Sequence, residues 1–270
     1  MSTETKAQLA EPGAERVPRR TAGTMRLAAL LALAGGFLDA FTYVAHGGVF
    51  ANAQTANVVL FAVFAAGGRW ADAVRHVYPI VAFVIGVGIA ETVHHPRVAD
   101  RLWRPRRMAL GLEIAVLAVV GALPGSFSNT VVVLAVAFVA ALQSTTFGEL
   151  GEWSVSTTMT TGNLRTATSA TYRALVHRDP AATPKAIAFG GVCLAFVLGA
   201  ALGALLSRLF HEHAAWVACA LLSAGLLMFV LDERPSSRGA ARASRQRSRQ
   251  VTTKQWSHGT GNLALPPAQR

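Results

Sequence analysis

A short polar element occurs twice in this otherwise apolar chain. The first copy is Thr55-Ala56-Asn57 and the second is Thr161-Gly162-Asn163. Threonine and asparagine favour helix starts because their side chains bond unpaired amide groups of the first turn. Two helix starts that converge also bring together two positive dipole ends. The pair therefore predicts a shared site for an anion or a neutral polar solute, with five candidate residues: Thr55, Asn57, Thr161, Gly162 and Asn163.

The sequence around the two polar elements is repeated as well. Each element follows an apolar stretch that contains a candidate polar residue, Asp39 in the first copy and Gln143 in the second. Each is followed by an Ala-Phe-Val-(Ile/Leu)-Gly segment, at 82–86 and at 195–199. Such a duplication predicts a pseudo-symmetric bundle whose polar elements share a central site. Asp39 and Gln143 join the candidate residues of that site.

Asp39 lies about twelve residues into the first apolar stretch, where an ionised carboxylate without a partner is costly. It is a candidate for carrying a proton, for binding solute, or for pairing with Arg165. A structural role, in which Asp39 accepts hydrogen bonds from a neighbouring segment, is equally open. Gln143 cannot titrate, so a proton relay would break the symmetry. Glu113, inside another apolar stretch, is a second candidate charge partner.

Composition identifies an integral membrane protein, since 52% of the residues are hydrophobic and only 14% are charged. A helix needs about 20 apolar residues to cross a bilayer. We therefore predict an all-α bundle with six transmembrane spans, at 27–44, 77–93, 108–123, 131–147, 186–206 and 214–231. Repeat one covers about 27–123 and repeat two about 131–231.

The distribution of arginine and lysine predicts the topology, because these residues concentrate on the cytoplasmic side. If the polar segments 49–67 and 154–175 do not cross, all three basic clusters lie inside, at 16–26, 97–107 and 234–254. If both cross, eight helices span the membrane and the middle cluster, with its five arginines, lies outside. We therefore favour six spans plus two inserted segments, with both termini cytoplasmic. Three spans per repeat make the repeats inverted relative to each other.

Motifs for catalysis are absent from the sequence, which has no glycine-rich phosphate loop, no nucleophile motif and no His-Glu-x-x-His signature. The histidines at 94–95 and 211–213 lie at the ends of spans on opposite predicted faces, so they cannot form one metal site. We therefore expect no enzyme activity, no metal and no cofactor.

The segment Gly-Gly-Phe-Leu-Asp-Ala at 35–40, together with the two Thr-x-Asn elements, resembles the YoaK family of bacterial membrane proteins of unknown function. The resemblance covers about residues 27–231 and implies a location in the bacterial cytoplasmic membrane. It implies no particular activity. One departure is Ala56, where the pattern has glycine.

The ends of the chain have a different composition. Residues 1–26 and 235–270 lack an apolar period, and the C-terminal segment is rich in arginine, serine and glutamine, so both are expected to be disordered. The basic tail is expected to rest on anionic lipid, and no nucleic acid is expected as a partner.

Two functions from different classes fit these features. The first is a transporter or channel for a small polar or anionic solute, with its site between the two Thr-x-Asn elements. The second is a membrane scaffold or regulator in which the same residues only join helices. Expected partners are membrane lipid, an unidentified small solute and a second copy of the chain. The small-residue pairs Gly121/Gly125 and Gly199/Gly203 predict close helix packing, either within the subunit or across an oligomer.

Overall fold

The computed structural model describes residues 19–99, 104–150 and 153–232. They form nine α-helices: α1 Arg19–Ala45, α2 Gln54–Ala66, α3 Trp70–His94, α4 Pro96–Ala99, α5 Pro105–Ala122, α6 Asn129–Thr146, α7 Thr160–Val176, α8 Thr183–Phe210 and α9 Ala215–Asp232. Between α6 and α7, strands β1 (Glu149–Leu150) and β2 (Trp153–Ser154) pair antiparallel. The predicted helical class is confirmed. This pair of two-residue strands is the one sheet among the described residues.

Four segments are long and apolar enough to cross a membrane: Met25–Ala45, Trp70–His94, Asn129–Thr146 and Pro180–Leu231. The last has 52 residues and contains both α8 and α9. Helix α5 has 18 residues, but it carries two arginines and Glu113 and is not among the four. Helix α2 is about 20 Å long, too short for a hydrocarbon core of about 30 Å. The structure is thus that of a helical membrane protein.

The first helix begins earlier than its apolar stretch. Residues 19–26, which the sequence assigned to a disordered terminus, form the first turns of α1. The other residues expected to be disordered, 1–18 and 235–270, lie outside the described residues. After α1 the chain reverses at Gly47 and Gly48, whose φ values of +87° and +74° favour glycine.

Helices α1 and α8 pack closely through glycine. A Cβ on Gly203 would lie 2.5 Å from the carbonyl oxygen of Phe37, and a Cβ on Gly199 would overlap the carbonyl of Leu33. Gly36, which lies on α1, likewise leaves no space for a Cβ against α8. The close packing predicted from the Gly199/Gly203 pair is therefore present, between α8 and α1 of the same chain.

Helices α3 and α6 form a second glycine contact. A Cβ on Gly86 would lie 2.7 Å from both the Phe138 carbonyl oxygen and the Ala141 Cβ. Gly86 and Gly199 hold matching places in the two sequence repeats. Each glycine packs its helix against the helix that begins the other repeat, so the two halves exchange equivalent contacts.

Three of the segments that connect helices lie at one end of the bundle. The Trp216 Nε1 and His213 Nδ1 atoms both donate to the carbonyl of Gly121, at 3.0 and 2.9 Å. In the turn after α1, His46 Nδ1 donates to Asn129 Oδ1 at 3.0 Å. The ends of α1, α5 and α8 therefore lie on one side of the molecule.

This grouping, combined with the distribution of arginine, predicts labelling from outside at that end. In a chain with Cys193 and Cys219 replaced by alanine, a cysteine at Ser126 should react with an impermeant thiol reagent on intact cells. A cysteine at Ala99 should react only after permeabilisation, because it lies beside the middle arginine cluster. Labelling of Ala99→Cys in intact cells would overturn the six-span topology.

Candidate functional site

The segment between α1 and α2 is held by two side chains of α1. Asp39, only 4% exposed, accepts hydrogen bonds through Oδ1 from the backbone N–H groups of Asn52 at 2.6 Å and Ala53 at 3.4 Å. One turn further on, Thr42 Oγ1 accepts from the N–H of Ala51 at 3.2 Å. Three consecutive amides ahead of α2 thus find acceptors on α1. These are the hydrogen bonds that a structural role of Asp39 requires.

The candidate charge partners lie elsewhere. Arg165 is exposed on α7, and among the described residues it pairs with neither Asp39 nor Glu113. Glu113 is fully buried in α5, and neither of its carboxylate oxygens has a hydrogen-bond partner. The structure therefore does not bring these three residues together, because Asp39 faces the loop that follows its own helix.

The two asparagines of the repeats make the same contact. Asn57 Oδ1 accepts from the N–H of Phe50 at 3.0 Å, and its Nδ2 donates to the Phe50 carbonyl at 2.7 Å. Asn163 pairs in the same two ways with Ser156, at 3.3 and 2.5 Å. Each asparagine is buried and closes a loop onto the residue seven positions earlier. The duplication in sequence is thus a duplication of one hydrogen-bonding device.

Helix capping differs from the sequence expectation. The residues that precede α2 and α7 are Ala53 and Met159, and neither helix has a side-chain cap at that position. Thr55 and Thr161 lie inside the first turns with exposed side chains. The asparagines instead reach back to the preceding loops and bond the backbone of Phe50 and Ser156.

Gly162 is open on its Cα side, because a Cβ there would meet no atom within 4 Å. No close backbone approach therefore requires glycine at this place in the element.

Both loops contact α1 at one residue. Asn52 Nδ2 donates to the carbonyl of Gly35 at 3.1 Å. From the other loop, the Thr157 carbonyl oxygen would lie 2.8 Å from a Cβ on Gly35. Gly35 is the central residue of the apolar segment Met25–Ala45. The segments that precede the two Thr-x-Asn elements therefore meet halfway along the first candidate span.

The counterpart residues Asp39 and Gln143 differ in their pairing. Asp39 bonds the loop ahead of α2, whereas Gln143 is buried with Nε2 lacking a partner. Each loop also holds one buried unpaired oxygen, Asn52 Oδ1 in the first and Thr157 Oγ1 in the second. The two halves therefore share the asparagine contact but not the contact made by Asp39.

Sequence reasoning missed His76, which belongs to the same cluster. Its Nδ1 donates to Asn57 Oδ1 at 3.3 Å, and its ring stacks on Phe64 with centroids 5.5 Å apart. The residue is 3% exposed. The sequence signal that could have identified His76 is a histidine at the start of an apolar stretch. Asn52 was also missed, because its partners are backbone groups distant in sequence.

The fold and the paired loops define a class: helical membrane proteins with two buried polar loops that meet on one helix. The chain belongs to the family described as protein of unknown function (DUF1275), whose model matches residues 27–228. This match covers most of the chain and includes both Thr-x-Asn elements. No curated protein and no solved structure matches the chain.

The asparagine contacts predict a matched loss of stability. Asn57→Ala and Asn163→Ala each leave a part-buried backbone N–H and carbonyl without their side-chain partner, and each should lower the free energy of unfolding by about 1–3 kcal/mol. Thermal unfolding in detergent measures the effect. Thr166→Ala is the control, since Thr166 bonds only the Gly162 carbonyl of its own helix and should change stability little. Equal stability of all three variants would contradict the role given to the asparagines.

Proposed function

We propose that the protein is a transporter or channel for a small polar or anionic solute, whose pathway passes between the two loops at Gly35. The observation that carries the proposal is the meeting of both loops on that residue, at the middle of an apolar helix. Polar, non-helical backbone at membrane depth is tolerated only where protein or a water-filled cavity surrounds it. A solute pathway is one arrangement that provides such surroundings.

Six spans and two inserted segments fit the helix lengths. Helices α1, α3, α5, α6, α8 and α9 have 18 residues or more, whereas α2 has 13 and α7 has 17. In this proposal α2 and α7 begin near the membrane centre and run back to opposite faces, as inverted repeats require. The reciprocal glycine contacts of α3 with α6 and of α8 with α1 support the same pseudo-symmetry.

The preferred solute follows from the helix starts. Helices α2 and α7 both begin directly after the converging loops, so their positive ends lie on the proposed pathway. The two positive helix ends favour anions and neutral polar molecules and disfavour simple cations. Asp39, which already accepts hydrogen bonds from the loop before α2, opposes this preference at one of the two ends.

A membrane scaffold or regulator is the second candidate, and a specific observation favours it. Asn57 and Asn163 use both ends of their amides to hold loops, as residues with a purely structural role would. In that case no solute crosses the protein. Flux measurements separate the two functions.

The proposal includes a setting for the protein. We place it in the bacterial cytoplasmic membrane with both termini inside, without catalysis, metal or cofactor. Its basic tail rests on anionic lipid, nucleic acid is not a partner, and a second copy of the chain is a candidate partner.

Vesicles reconstituted with the full chain and tested against anionic, neutral and cationic solutes should show flux for one of the first two classes. Asp39→Asn should lower that flux at least about tenfold, because it removes a charge-assisted acceptor from the loop. Asp72→Asn is the control, since Asp72 pairs with Arg69 and Arg75 at the start of α3 and is remote in sequence from the loops. Absence of flux for every class would favour the scaffold, whereas flux that is unchanged in Asp39→Asn would contradict a pathway beside the two loops.

A further inference from the structure

Glu113 lies at the middle of α5, and its carboxyl group has no polar partner. Its position in Pro105–Ala122 puts it about 12 to 14 Å along the axis from either end of the helix. The side chain is fully buried, and both carboxyl oxygens lack accessible surface as well as a hydrogen bond. The proposed pathway at Gly35 does not use this group.

The helices beside Glu113 supply no opposite charge. Helix α6 contains no titratable residue. On α9, the thiol of Cys219 donates to the carbonyl of Ile114, the residue after Glu113, at 3.6 Å. Asp232 is the other titratable residue of α9 and lies about 20 Å further along that helix. The neighbouring groups of both helices therefore leave the carboxyl group uncompensated.

The remaining charged groups lie towards the two ends of α5. Arg106 and Arg107 precede Glu113 by about 9 to 11 Å along the helix axis. At the other end, about 12 Å away, the turn at 211–214 packs against Gly121. That turn carries three titratable residues: His211, Glu212 and His213. Neither carboxyl oxygen of Glu113 accepts a hydrogen bond from any of these groups.

An ionised carboxylate is costly in these surroundings, because it has neither water nor a hydrogen-bond donor. A metal cation does not fit, since it needs several oxygen ligands at once. A proton needs neither a cavity nor further ligands. Asp39 differs from Glu113, because the amides of Asn52 and Ala53 donate to its carboxylate and stabilise negative charge there.

We propose that Glu113 is a proton-binding site of the membrane domain and holds its proton at neutral pH. Release of the proton requires contact with water, so α5 must separate from α6 or α9 when release occurs. In a transporter, such a site couples movement of the solute to a proton gradient. That use rests on the proposed function, whereas binding of the proton does not.

Infrared spectroscopy of the purified full chain in detergent tests the site at neutral pH. The difference between the unmodified chain and Glu113→Gln should contain the carbonyl band of a protonated carboxylic acid. Carbon-13 labelling of glutamate in the unmodified chain should shift the same band, which distinguishes it from Asp39 and requires no substitution. Loss of carboxylate bands in Glu113→Gln, or no acid band that shifts with the label, would overturn the proposal.

The pH dependence of stability provides a second measurement. A glutamate in the unfolded chain ionises at about pH 4, so above that pH the unfolded chain lacks the proton that folded Glu113 keeps. Stability therefore falls as the pH rises. Between about pH 5 and about pH 7, the equilibrium constant for unfolding should rise about tenfold more per pH unit in the unmodified chain than in Glu113→Gln.

Glu91→Gln is the matched control for this slope. Glu91 is exposed on α3, so its replacement should leave the pH dependence of the unmodified chain unchanged. Equal slopes for the unmodified chain and Glu113→Gln would contradict a proton held by Glu113.

Discussion

The structure depends on pairing the backbone of two non-helical segments that lie deep within an apolar bundle. A buried amide or carbonyl left unpaired costs about 1–3 kcal/mol, and in a membrane no water is at hand to replace the missing partner. Asp39, Asn57 and Asn163 supply those partners from side chains. Their contacts fix where α2 and α7 begin, and through them where α3 and α8 follow.

The close approach of α1 to α8 is the second condition for the meeting of the loops. Glycines at 199 and 203 let the two helix backbones touch at carbonyl groups of α1. Gly35 offers the loop before α7 the same lack of a side chain, so the Thr157 carbonyl can reach α1. The small residues of α1 and α8 thus determine the geometry of the polar cluster as well as the packing.

Local patterns predicted much of the fold, and distant contacts account for what was missed. The apolar stretches, the Gly199/Gly203 pair and the duplicated Thr-x-Asn elements are properties of short segments, and the structure places helices at each of them. The partner of Asn57 could not be found this way, since it is a backbone group whose position depends on how the loop folds. The preference of threonine for helix N-caps likewise predicted a side-chain cap at the start of α2, and the structure has none there. The hydrogen bond between His46 and Asn129, which are 83 residues apart, could be found only from the tertiary structure.

The depth of the two loops in the bilayer tests this account most directly. Spin labels at Ala53 and Met159, the residues that precede α2 and α7, can be compared by their accessibility to oxygen and to a water-soluble nickel reagent. Labels at Ser126 and Ala99 provide the two surface references. The account predicts that Ala53 and Met159 lie at similar depth near the bilayer centre, each well below its reference. Surface depth for either label would contradict it.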